Sequence, residues 1–369
     1  MKKTILFILF LGLLFSASYI GYTNFKPYEL HIFYDEEDLE NITIITLKYN
    51  NEIPSIEDPS KEGYVFSGWY LDREKNTPFD YNFMPKMNLT LYPDWGTEGL
   101  NYVKTGSTYT VSSGTATATH IRIPKRHQGA LVTVIAYQGF QHKSFIESVF
   151  IPNSIESIET RAFYLNTNLK TVEIEEGSVL KIIHKQAFFS THLESIHIPS
   201  SVEIIDEEAF VYNPYLSSLT FGDDSKLQKI GARAFVANYS LESISLPDSL
   251  RIIESEAFTA CSVLSIVEIS SNSLLERIEQ NAFNSTALTA IYLPSQLNYI
   301  GTYAFNDTLI TALYIPISVE TIGAYAFRTR VPSQLFTAIY VGAASKPEGW
   351  HLQWNQSNYH VVWDVPRQD

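Results

Sequence analysis

Residues Lys229–Phe258 read KIGARAFVANYSLESISLPDSLRIIESEAF, and this stretch decides the fold. It holds two Ala-Phe pairs, Ala234-Phe235 and Ala257-Phe258, each preceded four residues earlier by an isoleucine, Ile230 or Ile253. Outward from it the pair recurs at Ala162, Ala187, Ala209, Ala282, Ala304 and Ala326, and subtracting neighbouring positions gives steps of 22 to 25 residues. A period of that size is the signature of a solenoid. Isoleucine stands four residues before every one of these alanines, from Ile158 to Ile322, and Ile, Leu or Val stands seven before. Gly139-Phe140 obeys the same rule, with Ile135 and Val132 behind it. Positions that coincide this often must point inward, each stacking on its equivalent in the next rung. The alanine leaves room that a larger side chain would crowd, and the phenylalanines are predicted to form a continuous inner spine.

After each pair comes a short segment in which apolar and polar residues alternate, as in LESIHIP (Leu193–Pro199), LESISLP (Leu241–Pro247) and LTAIYLP (Leu288–Pro294). Alternation of this kind marks strands with one buried side. These are read as the sheet-forming strands of one continuous parallel face. Proline lacks the N–H a ladder needs, so Pro152, Pro199, Pro247, Pro294 and Pro316 are expected to mark strand ends. Other rungs end in EEGS (Glu175–Ser178), GDDS (Gly222–Ser225) or SSNS (Ser270–Ser273), and alternation of the two turn types points to a duplicated unit of about 47 residues, the sum of steps of 22 and 25.

The pattern IP-x-S-[IV]-x-x-I-x-x-x-A-F with L-x-x-[IV]-x-I-P resembles the BspA-type leucine-rich-repeat family. The resemblance spans roughly Leu100 to Trp363. IPKRHQGALVTVIAYQGF (Ile123–Phe140) is similar to the family's first repeat, and KPEGWHLQWNQSNYHVVW (Lys346–Trp363) to its terminal segment. It implies a β-rich leucine-rich-repeat solenoid over residues 100–342, with a parallel sheet on the concave face, and a capping segment over 343–369 that covers the last open rung. Many family members carry a cysteine shortly after the Ala-Phe pair. Here only Cys261 does, with Asn166, Asn213 and Asn238 in the matching place, so Cys261 is expected to be a buried ladder residue.

Residues 30–95 read as a separate small β unit of about four strands, with β-branched Ile42–Tyr49, then Tyr64-Val65-Phe66 after a Lys-Glu-Gly turn, and an alternating Leu89–Tyr92. EGYVFSGWY (Glu62–Tyr70), Phe79-Asp80 and LTLYPDW (Leu89–Trp95) resemble the internalin B-repeat, a β-grasp-like module of bacterial surface proteins. The acidic DEEDLE of Asp35–Glu40 departs from that pattern, and Trp69 and Trp95 are expected in the module's core. Before this unit, Lys2 and Lys3 precede an apolar run from Ile5 to Phe15, followed by Ser16-Ala17-Ser18. Residues 1–23 therefore read as a signal peptide, or as an uncleaved membrane anchor if the run extends through Tyr22. Either places the remainder on the extracellular side, with the membrane met only through this segment.

A net charge of −14 with no basic patch argues against nucleic acid as partner. One cysteine allows no internal disulfide framework and no multi-cysteine metal site. Neither HExxH nor GxSxG occurs, there is no phosphate-cradling glycine loop, and no pair of histidines has metal spacing. The expectation is a non-enzymatic protein with no catalytic, cofactor or metal residues. Glu175-Glu176 and Asp223-Asp224, on equivalent turns two rungs apart, would lie roughly 10 Å from each other, too far to share a calcium ion comfortably.

Recognition is expected on the outward strand positions. The middle rungs offer Ser195, His197, Ser218, Thr220, Ser243 and Ser245, the last three Ala290-Tyr292, Ala312-Tyr314 and Ala338-Tyr340, and Phe150 occupies the same slot near the other end. Tyr292, Tyr314, Tyr340, His197 and Phe150 are the candidate partner-binding residues, because tyrosine offers broad contact with a polar tip at low entropic cost. Ring packing that merely stabilises the sheet is the competing explanation. The family resemblance implies adhesion or contact with a host or extracellular macromolecule, most simply a protein. Glycan binding and self-association as a structural envelope component are the alternatives.

Overall fold

Alternating apolar residues in the first unit become strands. The computed structural model describes residues 26–35, 40–332 and 335–366. By internal contacts the chain divides into two units, Met1–Gly96 and Thr97–Asp369. In the first, β1 (Pro27–Phe33), β2 (Ile42–Lys48), β3 (Tyr64–Tyr70) and β4 (Leu89–Thr97) form one sheet in the order β2-β1-β4-β3. β1 runs antiparallel to β2 and parallel to β4, and no α-helix occurs among the described residues. Leu30 and Ile32 of β1 meet Leu89 and Leu91 of β4 in a core completed by Ile53 and Met84. Trp69 packs against that core, Trp95 is buried, and Phe66 touches both rings edge-on at 5.2 and 5.8 Å. The expected export segment, residues 1–23, lies outside the described residues, as do 36–39 of the acidic departure. Among the described residues no helix is long and apolar enough to cross a membrane.

The second unit is a solenoid of parallel rungs. Its periodic isoleucines, alanines and phenylalanines are fully buried, as their recurrence requires. Phe140, Phe163, Phe188, Phe210, Phe235, Phe258, Phe283, Phe305 and Phe327 stack with successive centroids 5.1 to 5.6 Å apart, forming the predicted spine with Phe140 as a ninth member. Beneath it runs a row of small polar side chains. The Asn213 amide donates to the carbonyls of Phe188 and Phe210, that of Asn238 to Phe210 and Phe235, and the Cys261 thiol to Phe235 at 3.1 Å. These donors satisfy carbonyls at the corner that would otherwise be costly to bury.

The corner itself has a geometry the residue pattern did not announce. The residue before each alanine and the second after each phenylalanine from Phe140 to Phe305 adopt φ between +53° and +61°, although they include Arg233, Glu256, Tyr303, Leu165 and Tyr212. Such left-handed conformations cost non-glycine residues about 1–2 kcal/mol each. They turn the backbone so that each phenylalanine N–H meets the next rung's alanine carbonyl, as in Phe235 to Ala257 and Phe258 to Ala282, both at 2.8 Å. The strain is held in place by this ladder.

One expectation about the sheets needs correction. The continuous sheet, of twelve strands, is built mainly from two-residue strands ending in the periodic isoleucine, such as Ile204–Ile205, Lys229–Ile230 and Ile252–Ile253. The alternating strands instead form three separate sheets: five strands ending at Ser218–Phe221, two at Ser243–Ser245 and Ile266–Glu268, and three beginning at Ala312–Ile315. Leu288–Pro294 is not a strand, although strands do stop at Pro152, Pro199 and Pro316 as foreseen. Yet Leu219, Ile244, Val267, Ile291 and Leu313 all remain buried across the interruptions. Apolar alternation dictates which side chains turn inward, whereas a backbone group at the surface can exchange its ladder partner for water at little net cost.

Behind the last phenylalanine stand the tryptophans. Trp354 meets Phe327 edge-on at 6.4 Å, Trp350 packs against Trp354 and Trp363, and the Trp350 indole donates to the Val319 carbonyl at 3.0 Å.

Candidate functional site

The outward positions of the alternating strands lie in register, and cross-strand partners determine how free each one is. Phe150 faces Arg122 on one side and Glu173 on the other, and the Arg122 guanidinium sits over its ring at 4.3 Å. The His197 ring is hydrogen-bonded through Nδ1 to the Thr220 hydroxyl at 2.9 Å, across the pair Ser195–Ile198 and Ser218–Phe221. Both residues are thus held by neighbours within the sheet. Counting rungs at about 4.8 Å each, His197 lies roughly 19 Å and Phe150 roughly 29 Å from Tyr292. The structure therefore does not bring them together with the tyrosines.

The three tyrosines are brought together. Tyr314 and Tyr340 are direct partners in parallel strands, and Tyr292 precedes them in the rung that has left the ladder. With Ile291, Leu293, Val365 and Pro366 they line a pocket of about 400 Å³. Tyr292 is 36% exposed, Tyr314 and Tyr340 half-buried. The Tyr314 hydroxyl donates to the Val365 carbonyl at 3.2 Å. Gly342 makes this possible, because a Cβ there would stand 2.6 Å from the Tyr314 oxygen.

A second cavity, which the sequence reading did not single out, opens where Ser218–Phe221 and Ser243–Ser245 part. It measures about 620 Å³ and is lined by the outward positions Ser218, Thr220, Ser243 and Ser245 and by Asp224, Asp248 and Glu268. The run of serine and threonine in outward slots was visible. The separation of the strands that turns it into a cleft was not. Among the described residues no group of three or more His, Cys, Asp or Glu side chains is arranged to hold a metal ion. In the Glu175-Glu176 turn, the Glu175 carboxylate accepts the Asn153 N–H at 2.8 Å, a bond that ties neighbouring rungs.

Comparison with known proteins bears on both units. The family described as the BspA type leucine rich repeat region matches residues 133–237 and 212–332, together more than half of the chain. The Listeria-Bacteroides repeat domain matches residues 31–93. No curated protein matches the chain. Similar solved structures include a leucine-rich repeat protein from Bacteroides ovatus, 20% identical, covering 67% of this chain and 70% of that one with a TM-score of 0.48. Another is a leucine rich cell surface protein from Faecalibacterium prausnitzii, 19% identical, covering 71% and 85% with a TM-score of 0.40.

Proposed function

Because this chain belongs to the BspA-type leucine-rich-repeat family, we propose that it is an exported, non-enzymatic cell-surface protein that binds a macromolecular partner through its strand face. The partner is an extracellular or surface protein, and the contact serves adhesion or recognition outside the cell. One observation carries the reading: three tyrosines from successive rungs converge on a single pocket at one end of the face. Rigid amphipathic rings in a concave site are what protein interfaces concentrate. The apolar run Ile5–Phe15 behind Lys2 and Lys3 supports export.

The test is binding of the purified chain to a panel of matrix proteins, serum proteins and glycans, beside the triple variant Tyr292→Ser, Tyr314→Ser, Tyr340→Ser. Circular dichroism verifies that both are folded. The expected result is a protein partner whose affinity falls at least about tenfold in the variant, the effect of losing buried aromatic anchors. Equal binding by the two chains would move the site off the tyrosines. Micromolar self-association with no foreign partner would replace the proposal with a structural envelope role.

A further inference from the structure

The cleft between Ser218–Phe221 and Ser243–Ser245 is built from groups that the protein leaves unsatisfied. Ser218–Phe221 is the last strand of the five-stranded sheet and Ser243–Ser245 the first of the two-stranded one, so no ladder spans the gap. Each strand therefore turns an unpaired backbone edge to the cleft, and such an edge carries both N–H donors and carbonyl acceptors. Four outward hydroxyls stand beside these edges. That of Thr220 is held by the His197 ring, whereas those of Ser218, Ser243 and Ser245 have no hydrogen-bond partner among the described residues. The Asp224 and Glu268 carboxylates have none either, and Asp248 uses one oxygen, on the Ser270 hydroxyl. On the sheet of two-residue strands, neighbouring rungs instead pair their charges, Lys181 with Glu203 at 3.3 Å and Lys229 with Glu254 at 3.5 Å. Ile266, the cross-strand partner of Ser243, is 52% exposed and adds an apolar strip to the cleft wall.

We propose that this cleft is a sugar site, which takes neutral hexose units of an extracellular glycan and is separate from the protein site at the tyrosines. The open backbone edges and the free hydroxyls call for a ligand that both donates and accepts, and a sugar hydroxyl does both. An ammonium or guanidinium group only donates, so a basic side chain would leave the N–H groups unmatched. The carboxylates accept charge-assisted hydrogen bonds from sugar hydroxyls, which are stronger than neutral ones. Their charge repels uronic, sialic and sulfated sugars, which restricts the class to uncharged units. A pyranose ring also has a face of C–H groups, and Ile266 supplies the apolar surface that this face needs. At about 620 Å³ the cleft has the size of a small-molecule site.

The experiment titrates the full chain with maltose, cellobiose and lactose by saturation-transfer NMR and calorimetry, beside glucuronic acid and tetralysine. The expected result is saturable millimolar binding of at least one of the three disaccharides and none of glucuronic acid. Ser243→Ala and Glu268→Gln, both at exposed positions where folding is readily verified by circular dichroism, should each weaken that binding about threefold to tenfold, the loss of one hydrogen bond. The triple tyrosine variant should bind the sugar as the parent does, so this inference and the tyrosine site fail separately. Absence of binding by all three disaccharides at tens of millimolar overturns the inference. So does sugar binding that both cleft variants retain in full, or that the tyrosine variant loses. Binding of tetralysine without any sugar, abolished by Glu268→Gln, would assign the cleft to a basic peptide instead.

Discussion

Cys261 stands three residues after Phe258, in the row where Asn213 and Asn238 precede it and Thr286 and Thr308 follow. All five are buried, and the cysteine spends its proton on the Phe235 carbonyl. Desolvation pushes its thiol up to about 12, only partly countered by a backbone hydrogen bond from Asn238. In the unfolded chain a thiol ionises near 8.5. Between about 8.5 and 12 the unfolded state therefore holds fewer protons, so the contribution to stability is complete below that window and is lost as pH rises through it. The slope is at most about 1.4 kcal/mol per pH unit. We predict that the urea midpoint of the parent falls more steeply between pH 8 and pH 10 than that of Cys261→Ser. Parallel curves would contradict the buried thiol. The family resemblance, which puts a cysteine at this place with asparagines matching it here, implied a ladder residue, and burial bears that out. The left-handed backbone at Arg233 or Tyr303 was not legible, since neither residue favours it and only the ladder between rungs imposes it.

At the scale of elements, the phenylalanine spine and the two kinds of strand do different work. The spine is continuous, near-parallel and fully buried, so a gap in its middle has neighbours on both sides that cannot close it. Phe235→Ala should cost about 3–5 kcal/mol in chemical denaturation, whereas Ser243→Ala, on the exposed face, should fall within about 0.5 kcal/mol. A spine mutant as mild as the face mutant would mean that the rungs relax into the cavity. The spine was readable because one residue type recurs at one phase. The interruption at Leu288–Pro294 was not, although LTAIYLP has the same alternation as LESIHIP, which does form a strand. The two differ in hydrogen bonding to neighbouring rungs, and a rung's own letters do not contain its neighbours.

For the solenoid unit as a whole, stability is a chain of contacts between adjacent rungs, so the ends are the weak points. Trp350 and Trp354 lie against the last rungs, through the Val319 carbonyl and the Phe327 ring respectively. Trp350→Ala should therefore loosen the C-terminal rungs first. Hydrogen exchange should rise over residues 299–327 and stay unchanged over 135–190, and a uniform rise would show that the unit opens cooperatively instead. The tyrosine pocket is bounded by the same terminal segment through Val365 and Pro366, so the variant should also weaken any ligand held there.

The sequence by itself determined the period, the inward positions, the separate small β unit and the row of outward tyrosines. Each of these follows from a repeated choice between apolar and polar at a fixed phase, and burial enforces that choice residue by residue. Only the tertiary structure decided that the two-residue strands carry the continuous sheet, and that the alternating strands part in two places. It alone closed three tyrosines and the chain's own Val365-Pro366 into one pocket. Those outcomes depend on backbone hydrogen bonds and close approaches between residues tens of positions apart, where water competes with the protein on nearly equal terms and local pattern carries no information.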